Sequence, residues 1–415
     1  MSQVTPGKFL FREIDKRAGT LQLPLLSVSQ YRGVVPRSAL TDDLPRAEDL
    51  SNYKVCAAGD IVVNRMSAYQ GAMGRSPQAG IVSPDYMVLR PGPLVEGRYL
   101  HHVFRSTWFR GEVVQRLRGI GSVDLGNVRT PRINPDEFGS IPLTVPSLEE
   151  QRRIADFLDI ETARIDQLAA AMTSQDDLLR HRRLRLLDSV RGSDYEHAPL
   201  ARLGYFSSLV TSGSRGWSEY VSETGELFFR SANLHSDRIQ PKLVNSAYVQ
   251  LPDSEVSESR RARIRFGDCL IGITGANAGW VCLADASIAD GYVSQHVCLV
   301  RPDSHRLDSH WLALLMASPC VQSELMGSQY GGTKTQLSLP DVRAIRVPVL
   351  PIRRQVQLAR SVNRQVEGVD QQRALRRRQL TLLTERRQAL ITAAVTGQFD
   401  ATTASGRNVT EGVAV

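Results

Sequence analysis

Lysine is nearly missing from this sequence: of 51 basic residues five are Lys and 46 are Arg. Cysteine is scarce as well. Cys56, Cys269, Cys282, Cys298 and Cys320 are odd in number and form no C-x-x-C pair, so neither a disulfide framework nor a structural zinc site is indicated, and buried inert thiols are expected. No stretch approaches the roughly 18 apolar residues that a membrane span needs, and residues 1–14 lack the apolar core of a secretory signal. A cytoplasmic protein is expected.

What is present is ordinary for a soluble globular chain. Hydrophobic residues make up 42% and charged residues 23%, which excludes a fully disordered or collagen-like polymer. At 415 residues, two or three domains are expected. The formal net charge of +8 favours an acidic partner. Arg presents a planar fork that matches phosphates and guanine edges, although an Arg excess can equally follow genomic base composition.

The decisive feature is an internal repeat. Gly59-Asp60-Ile61-Val62-Val63 matches Gly267-Asp268-Cys269-Leu270-Ile271 at an offset of 208, and Gly71 matches Gly279. Residues 83–91 lie against 294–302 at 211, and Tyr99-Leu100 against Trp311-Leu312 at 212. From Ile141-Pro142-Leu143 against Ile345-Arg346-Val347 the offset settles at 204. Ordered blocks with slowly drifting offsets mean two copies of one unit, about 1–191 and 192–395. Each copy begins with short β-branched runs broken by Gly and Pro, continues through a short helix, and closes with a long proline-free tract. The tracts, about 148–190 and 352–395, predict helices of over forty residues, roughly 65 Å each.

Both tracts carry a partial 4-3 seam. In the first it comprises Ile154, Leu158, Ile165, Leu168, Met172, Leu179 and Leu186; in the second Leu358, Val362, Val369, Leu383 and Leu390. Two such stripes are expected to pack on each other, antiparallel if the copies are related by an approximate two-fold, and to remain sticky for helices of another chain. Solvated helices with a purely structural pairing are the plainer alternative.

A search for catalytic constellations finds little. Gly331-Gly332-Thr333-Lys334-Thr335 resembles the end of a phosphate loop, but its glycines are wrongly spaced. Asn134-Pro135-Asp136-Glu137-Phe138 is similar to the Asn-Pro-Pro-aromatic motif of amino-methyltransferases without its second Pro, and is better taken as a turn. His101-His102 lack a carboxylate or Cys at ligand spacing. Asp60 and Asp268 follow a turn glycine and are expected to be structural. Loops that keep their frame but change their side chains between copies are better binding candidates. In the first copy these supply Tyr31, Arg32, Arg65, Tyr69, Gln70 and Ser122; in the second Asn233, His235, Thr274, Asn277, Thr333 and Lys334. Such residue types read base edges or hold phosphates.

In motif order the chain resembles the specificity (S) subunits of type I restriction-modification systems. The resemblance rests on the two Gly-Asp strands at 59–63 and 267–271, on Gly332-Thr333 followed by Leu337-Ser338, and on residues 141–154, close to the family's I-P-L-P-P-L-x-E-Q-x-x-I run into a long helix. The second copy departs there, with Arg353-Arg354 before Gln355 where acidic residues usually stand, which weakens its helix start.

The resemblance implies a mixed α/β (α+β) chain with two pseudo-repeated target-recognition domains, 1–146 and 192–351. Spacer helices at 147–191 and 352–396 would form an antiparallel coiled coil, with a disordered tail at 397–415. Each domain would read one half of a bipartite, asymmetric target in double-stranded DNA. The helices would set the gap and dock two methyltransferase subunits through the seam residues named above. The chain would itself be non-catalytic and hold no cofactor. S-adenosylmethionine for adenine methylation would sit on the methyltransferase subunits, and ATP and Mg²⁺ on the restriction motor-nuclease subunits of a phage-defence complex. A different class of reading is a helical scaffold or RNA-binding adaptor; an enzyme in one chain is discouraged by the missing cofactor loop.

Overall fold

A computed structural model describes residues 3–30, 32–41, 49–117, 131–193, 197–327 and 336–399. The first copy runs β1 (Gln3–Pro6), β2 (Phe11–Glu13), β3 (Leu26–Ser29), β4 (Gly33–Pro36), β5 (Lys54–Cys56), β6 (Ile61–Asn64), β7 (Met73–Arg75), β8 (Gly80–Val82) and β9 (Tyr86–Pro91). It continues with α1 (Gly97–Arg105), α2 (Thr107–Gln115), α3 (Pro135–Ser140), β10 (Pro142–Val145) and the 41-residue α4 (Leu148–Asp188). The second copy runs β11 (Leu200–Arg202), β12 (Ser207–Ser212), β13 (Val221–Ser222), β14 (Glu226–Phe229), β15 (Ala247–Val249), α5 (Val256–Ala262), β16 (Cys269–Gly272), β17 (Val281–Leu283), β18 (Tyr292–Val293) and β19 (Val297–Pro302). It closes with α6 (Ser309–Met316), α7 (Pro319–Gly327), α8 (Leu339–Ala344), β20 (Arg346–Pro348) and the 44-residue α9 (Ile352–Val395).

The repeat is real in three dimensions. One antiparallel sheet has the order β2-β9-β6-β7 and its counterpart the order β12-β19-β16-β17, while β1-β10 and β11-β20 form matching two-stranded ribbons. In the first copy Ile61 pairs with Leu89 and Val62 with Val88. Because side chains alternate, Ile61, Val63, Met87 and Leu89 enter one core with α1, α2 and α3, and Val62 and Val88 enter another beneath β3, β4 and β8. Both faces are buried, which is why the strands read as unbroken apolar runs. In the second copy Cys269, Ile271, Cys298 and Val300 face the helical core, and Leu270, Cys282 and Leu299 the other.

The second layer is where the copies part. In the first it is two separate strand pairs, β3-β4 and β5-β8; in the second it is a four-stranded sheet, β13-β15-β14-β18.

The compact units are not the contiguous halves that the repeat boundaries imply. One comprises Met1–Met172 with Arg378–Val415, the other Thr173–Arg377. The cause is the antiparallel run of α4 and α9. In the first unit Ile154, Ala155 and Leu158 from α4 share a core with Leu390, Ile391, Ala394 and Val395 from α9, and Arg387 pairs with Asp166 at 3.2 Å. In the second unit Leu187 shares a core with Ala359, Val362 and Val366. There Arg183 meets Asp370 at 2.8 Å and Arg373 meets Asp176 at 3.0 Å. Arg183 is buried in this pairing, whereas the neighbouring Arg182 is exposed.

Two repeated polar devices hold the frame. Asp60 accepts two hydrogen bonds from Arg90 at 2.8 Å and one from the Ala57 amide. Asp268 does the same with Arg301, at 2.8 and 2.7 Å, and with the Arg265 amide. Both aspartates are structural, as their turn position implies. At the start of the long helices, Gln151 donates to Pro146 and Leu94 carbonyls and accepts from the Glu96 amide; Gln355 repeats this with Leu350, Arg306 and Asp308. The second helix therefore starts firmly at Ile352 despite Arg353-Arg354, because the buried glutamine, not the acidic pair, anchors it.

Other sequence expectations are corrected. Residues 134–138 are a helix start: Asn134 is the N-cap of α3, Pro135 occupies its first turn and Phe138 is buried. His102 does meet a carboxylate, with its Nε2 2.7 Å from Asp159 on α4. Among the described residues no group of His, Cys, Asp and Glu could hold a metal ion. Cys56, Cys269, Cys282 and Cys298 are buried, and burial pushes each thiol upward. The phosphate-loop look-alike at 331–335 and the tail from 400 lie outside the described residues. Phe399 packs against Phe157. Among the described residues no helix is long and apolar enough to cross a membrane.

Candidate nucleic-acid interface

In the first unit the loop between β6 and β7 turns through Ala68–Gln70 and is closed by Gly71, whose φ of 92° requires glycine. Gln70 donates to the Tyr69 hydroxyl at 3.0 Å and accepts from Gln30 at 2.8 Å, so the β3-β4 hairpin tip and the β6-β7 loop meet in a surface row of amide and phenol groups. Arg32 lies in the same tip, exposed, with its amide on the Ser29 hydroxyl and its guanidinium 3.4 Å from the Ala39 carbonyl. Tyr31 and Ser122 lie outside the described residues.

Arg65 is not a free reader. Its Nε donates to the Ile133 carbonyl at 3.0 Å and its guanidinium also reaches the Asn134 side chain, tying down residues 132–134. Burial, then the charge of Arg132, holds its pKa below the usual arginine value. Arg105, which the sequence reading missed, sits 5% exposed at the end of α1 and donates to the Gln30 and Met73 carbonyls. Burial and the charge of Arg387 bring its pKa down to about 10. It positions the hairpin tip from behind; the signal was a lone Arg closing an otherwise apolar helix face.

In the second unit Thr274 and Asn277 do not line a cleft themselves, but each hydrogen-bonds to a residue that lines one of about 290 Å³. The Thr274 hydroxyl is 2.9 Å from His296 Nδ1, and Asn277 donates to the Ser231 carbonyl at 2.9 Å. Trp217 and Phe228 form the apolar floor, while Arg230, Ser231, Gln295 and His296 line the lip. Gln295 and His296 were not singled out from sequence, although the 83–91 and 294–302 blocks match them to Pro84 and Asp85, a change of side chain in a kept frame that could have marked them. Asn233 is structural: 1% exposed, it accepts from the Arg230 amide and donates to the Lys242 carbonyl. His235 opens elsewhere, into a cavity of about 540 Å³ with Asp237, Arg238 and Arg373, and burial and Arg238 lower its pKa. Thr333 and Lys334 lie outside the described residues.

The arrangement offers hydroxyl, amide, imidazole and guanidinium groups on a rigid β frame, which is hydrogen-bonding equipment, and among the described residues no group of His, Cys, Asp and Glu could hold a metal ion. The match to solved structures is extensive. A chain from a structural study of complex assembly and conformational transition in a type I restriction-modification system superposes with a TM-score of 0.66 at 16% identity, over 95% of this chain and 98% of that one. The HsdS subunit of Thermoanaerobacter tengcongensis follows at 0.50 and 17%, over 96% and 97%. Those likenesses carry the fold. In sequence, the EcoKI specificity subunit of Escherichia coli K12 is 22% identical over 326 residues, 73% of this chain and 67% of that protein. The chain is a relative of the type I specificity subunits. No family model matches it.

Within the specificity-subunit fold, the expected helix-docking residues divide in two. Ile154, Leu158, Ile165, Val362 and Val369 are buried in the cores and seams of their own units. Met172, Leu179, Leu358 and Leu383 are half-buried, and Leu168 is exposed. The seam thus spends most of its apolar surface internally. Besides Leu168, exposed apolar side chains on the same helices include Ile160 and Leu382 in the first unit and Leu178 and Leu375 in the second.

Proposed function

We propose that the chain is the DNA-reading subunit of a type I restriction-modification complex, with each unit reading one half of a bipartite target. The observation that carries this reading is the split between frame and second layer. The duplicated sheet, Asp-Arg clamp and glutamine anchor are alike, whereas the second layer, which carries Gln30 and Arg32 in one unit and Arg230 in the other, has different strands, and the matched loops of the shared sheet carry different side chains, Gln70 in one and Asn277 in the other. Duplicated scaffolds with diverged faces suit two modules that read different sequences.

Recurring exposed apolar residues support two identical partner subunits. Val4 and Leu200 are equivalent on the matched ribbons, Phe9 and Tyr205 follow them, and Leu178 and Leu382 are equivalent on the long helices. A surface that stays apolar twice fits one partner used twice. In this reading the partners are two methyltransferase subunits holding S-adenosylmethionine, joined by motor-nuclease subunits using ATP and Mg²⁺. The complex works on double-stranded DNA in the cytoplasm, and the helix pair sets the gap.

The test is a genome-wide map of methylated adenines with and without the chain. Loss of one bipartite motif on deletion is expected. With the methyltransferase partner expressed, an unchanged methylome refutes the reading and favours the scaffold alternative.

A further inference from the structure

The two long helices are matched in fold but not in charge. The part of the helix pair in the second unit, residues 173–188 and 352–377, carries eleven arginines against five carboxylates. The part in the first unit, residues 148–172 and 378–395, carries six arginines against seven carboxylates. The difference begins where the repeat departs from its own pattern, with Arg353-Arg354 in place of Glu149-Glu150.

In the second unit the excess is displayed, not neutralised. Arg183 and Arg373 are buried and take Asp370 and Asp176 as partners. Arg182, Arg185, Arg353, Arg360 and Arg364 are exposed, with no carboxylate among the described residues in ion-pair range. At 3.6 residues per turn Arg353, Arg360 and Arg364 fall within about 40° of one another, opposite the buried stripe of Ala359, Val362 and Val366. On α4, Arg182 and Arg185 flank Leu178 on the face turned from Leu187. Leu178 is 68% exposed and Leu375, on the arginine face of α9, is 62% exposed. Exposed leucines among unpaired arginines fit a protein surface that is both acidic and apolar; a phosphate backbone offers the leucines nothing to bury against. The corresponding surface of the first unit keeps exposed Ile160, Leu168 and Leu382, but its charges nearly balance.

We propose that the two halves of the helix pair are unequal docking surfaces: the arginine face of the second unit takes an acidic, partly apolar surface of a partner subunit tightly and salt-sensitively, and the first unit takes a second copy of that partner more weakly. The proposal rests on the reading of two identical partner subunits. It adds an order of loading, with the second unit filled first.

The test titrates the full chain with the purified methyltransferase subunit by calorimetry and native mass spectrometry. At about 50 mM salt two steps are expected, separated by roughly tenfold or more in affinity, merging near ~500 mM as exposed charges are screened. The double charge reversal Arg360→Glu with Arg364→Glu abolishes the tight step at low salt, and the conservative pair Arg360→Lys with Arg364→Lys retains it. Two equal sites at low salt, or two steps with the same salt slope, overturn the proposal. So does a charge reversal that leaves both steps intact and weakens only random-sequence duplex binding, which makes the surface a nucleic-acid contact. Absence of any binding at every salt concentration is a different failure, of partner docking itself.

Discussion

Replacing the clamp aspartate by alanine separates the two copies energetically. Asp268 and Asp60 hold the same place in their units and make the same three hydrogen bonds, but their partners differ: the Arg301 side chain is 15% exposed and that of Arg90 41%. Asp268→Ala strands a largely buried guanidinium and the Arg265 amide, a loss of about 3–5 kcal/mol by the usual cost of breaking a buried pair. Asp60→Ala lets Arg90 turn to water, so the loss reduces to the stranded Ala57 amide and a half-exposed pair, about 1–2 kcal/mol. Urea unfolding followed by tryptophan emission reads this directly, since Trp217, Trp280 and Trp311 lie in the second unit and Trp108 in the first. A lower midpoint for the tryptophan-rich transition is expected with Asp268→Ala, and a small change in the other transition with Asp60→Ala. Equal losses, or a larger one for Asp60→Ala, would refute the argument from partner burial.

Gly368 lies inside α9 with open space where a Cβ would stand, so Gly368→Ala should stabilise by about 0.5–1 kcal/mol in thermal unfolding; a lower melting temperature would place an unseen neighbour there. Gln355→Leu strands the Asp308 amide and two carbonyls, so it should cost about 2–4 kcal/mol and increase amide exchange in the first turns of α9; unchanged exchange would show that the helix needs no anchor. His101 accepts the Arg75 amide through Nδ1, and burial, then the charges of His102, Arg105, Arg387 and Arg75, depress its pKa well below 6.5. A depressed histidine gives stability that is complete above pH 6.5 and declines as pH falls below it, so the first unit should weaken on acidification and His101→Gln should flatten that slope. Inserting one turn at matched points of both long helices should change the gap of the methylated motif and leave its half-sites as they are. Exchanging residues 1–146 for those of a related chain should change one half-site, and alteration of both would sink the modular reading.

The sequence displayed the elements whose cause is local. Gly59-Asp60 and Gly267-Asp268 mark the turn into a central strand because glycine and a buried acid are both required there. The helices are legible from long proline-free tracts, and α9 spans the residues the pattern gives. What the pattern hid depends on contacts far apart in the chain. Arg65 and Asn233 look like loop residues free to read, yet Arg65 is consumed by the Ile133 carbonyl and the Asn134 side chain, and Asn233 by backbone groups at 230 and 242. The apolar seam looks available to a partner, yet Leu158 and Val362 are spent within their own units. The differing second layers share no offset, so a repeat comparison could not align them.

The course of the two long helices has a consequence for synthesis. The second unit is one uninterrupted stretch, Thr173–Arg377, so it can close as soon as that stretch leaves the ribosome. The first unit cannot: its core lacks Leu390, Ile391, Ala394 and Val395 until the last helix is made. The half of the protein translated first is therefore the half completed last, and until then it presents an open apolar cleft along α4. A nonsense mutation or proteolytic cut between Arg377 and Leu390 would spare the second unit and leave the first unfinished, so damage near the C-terminus is felt at the N-terminal domain.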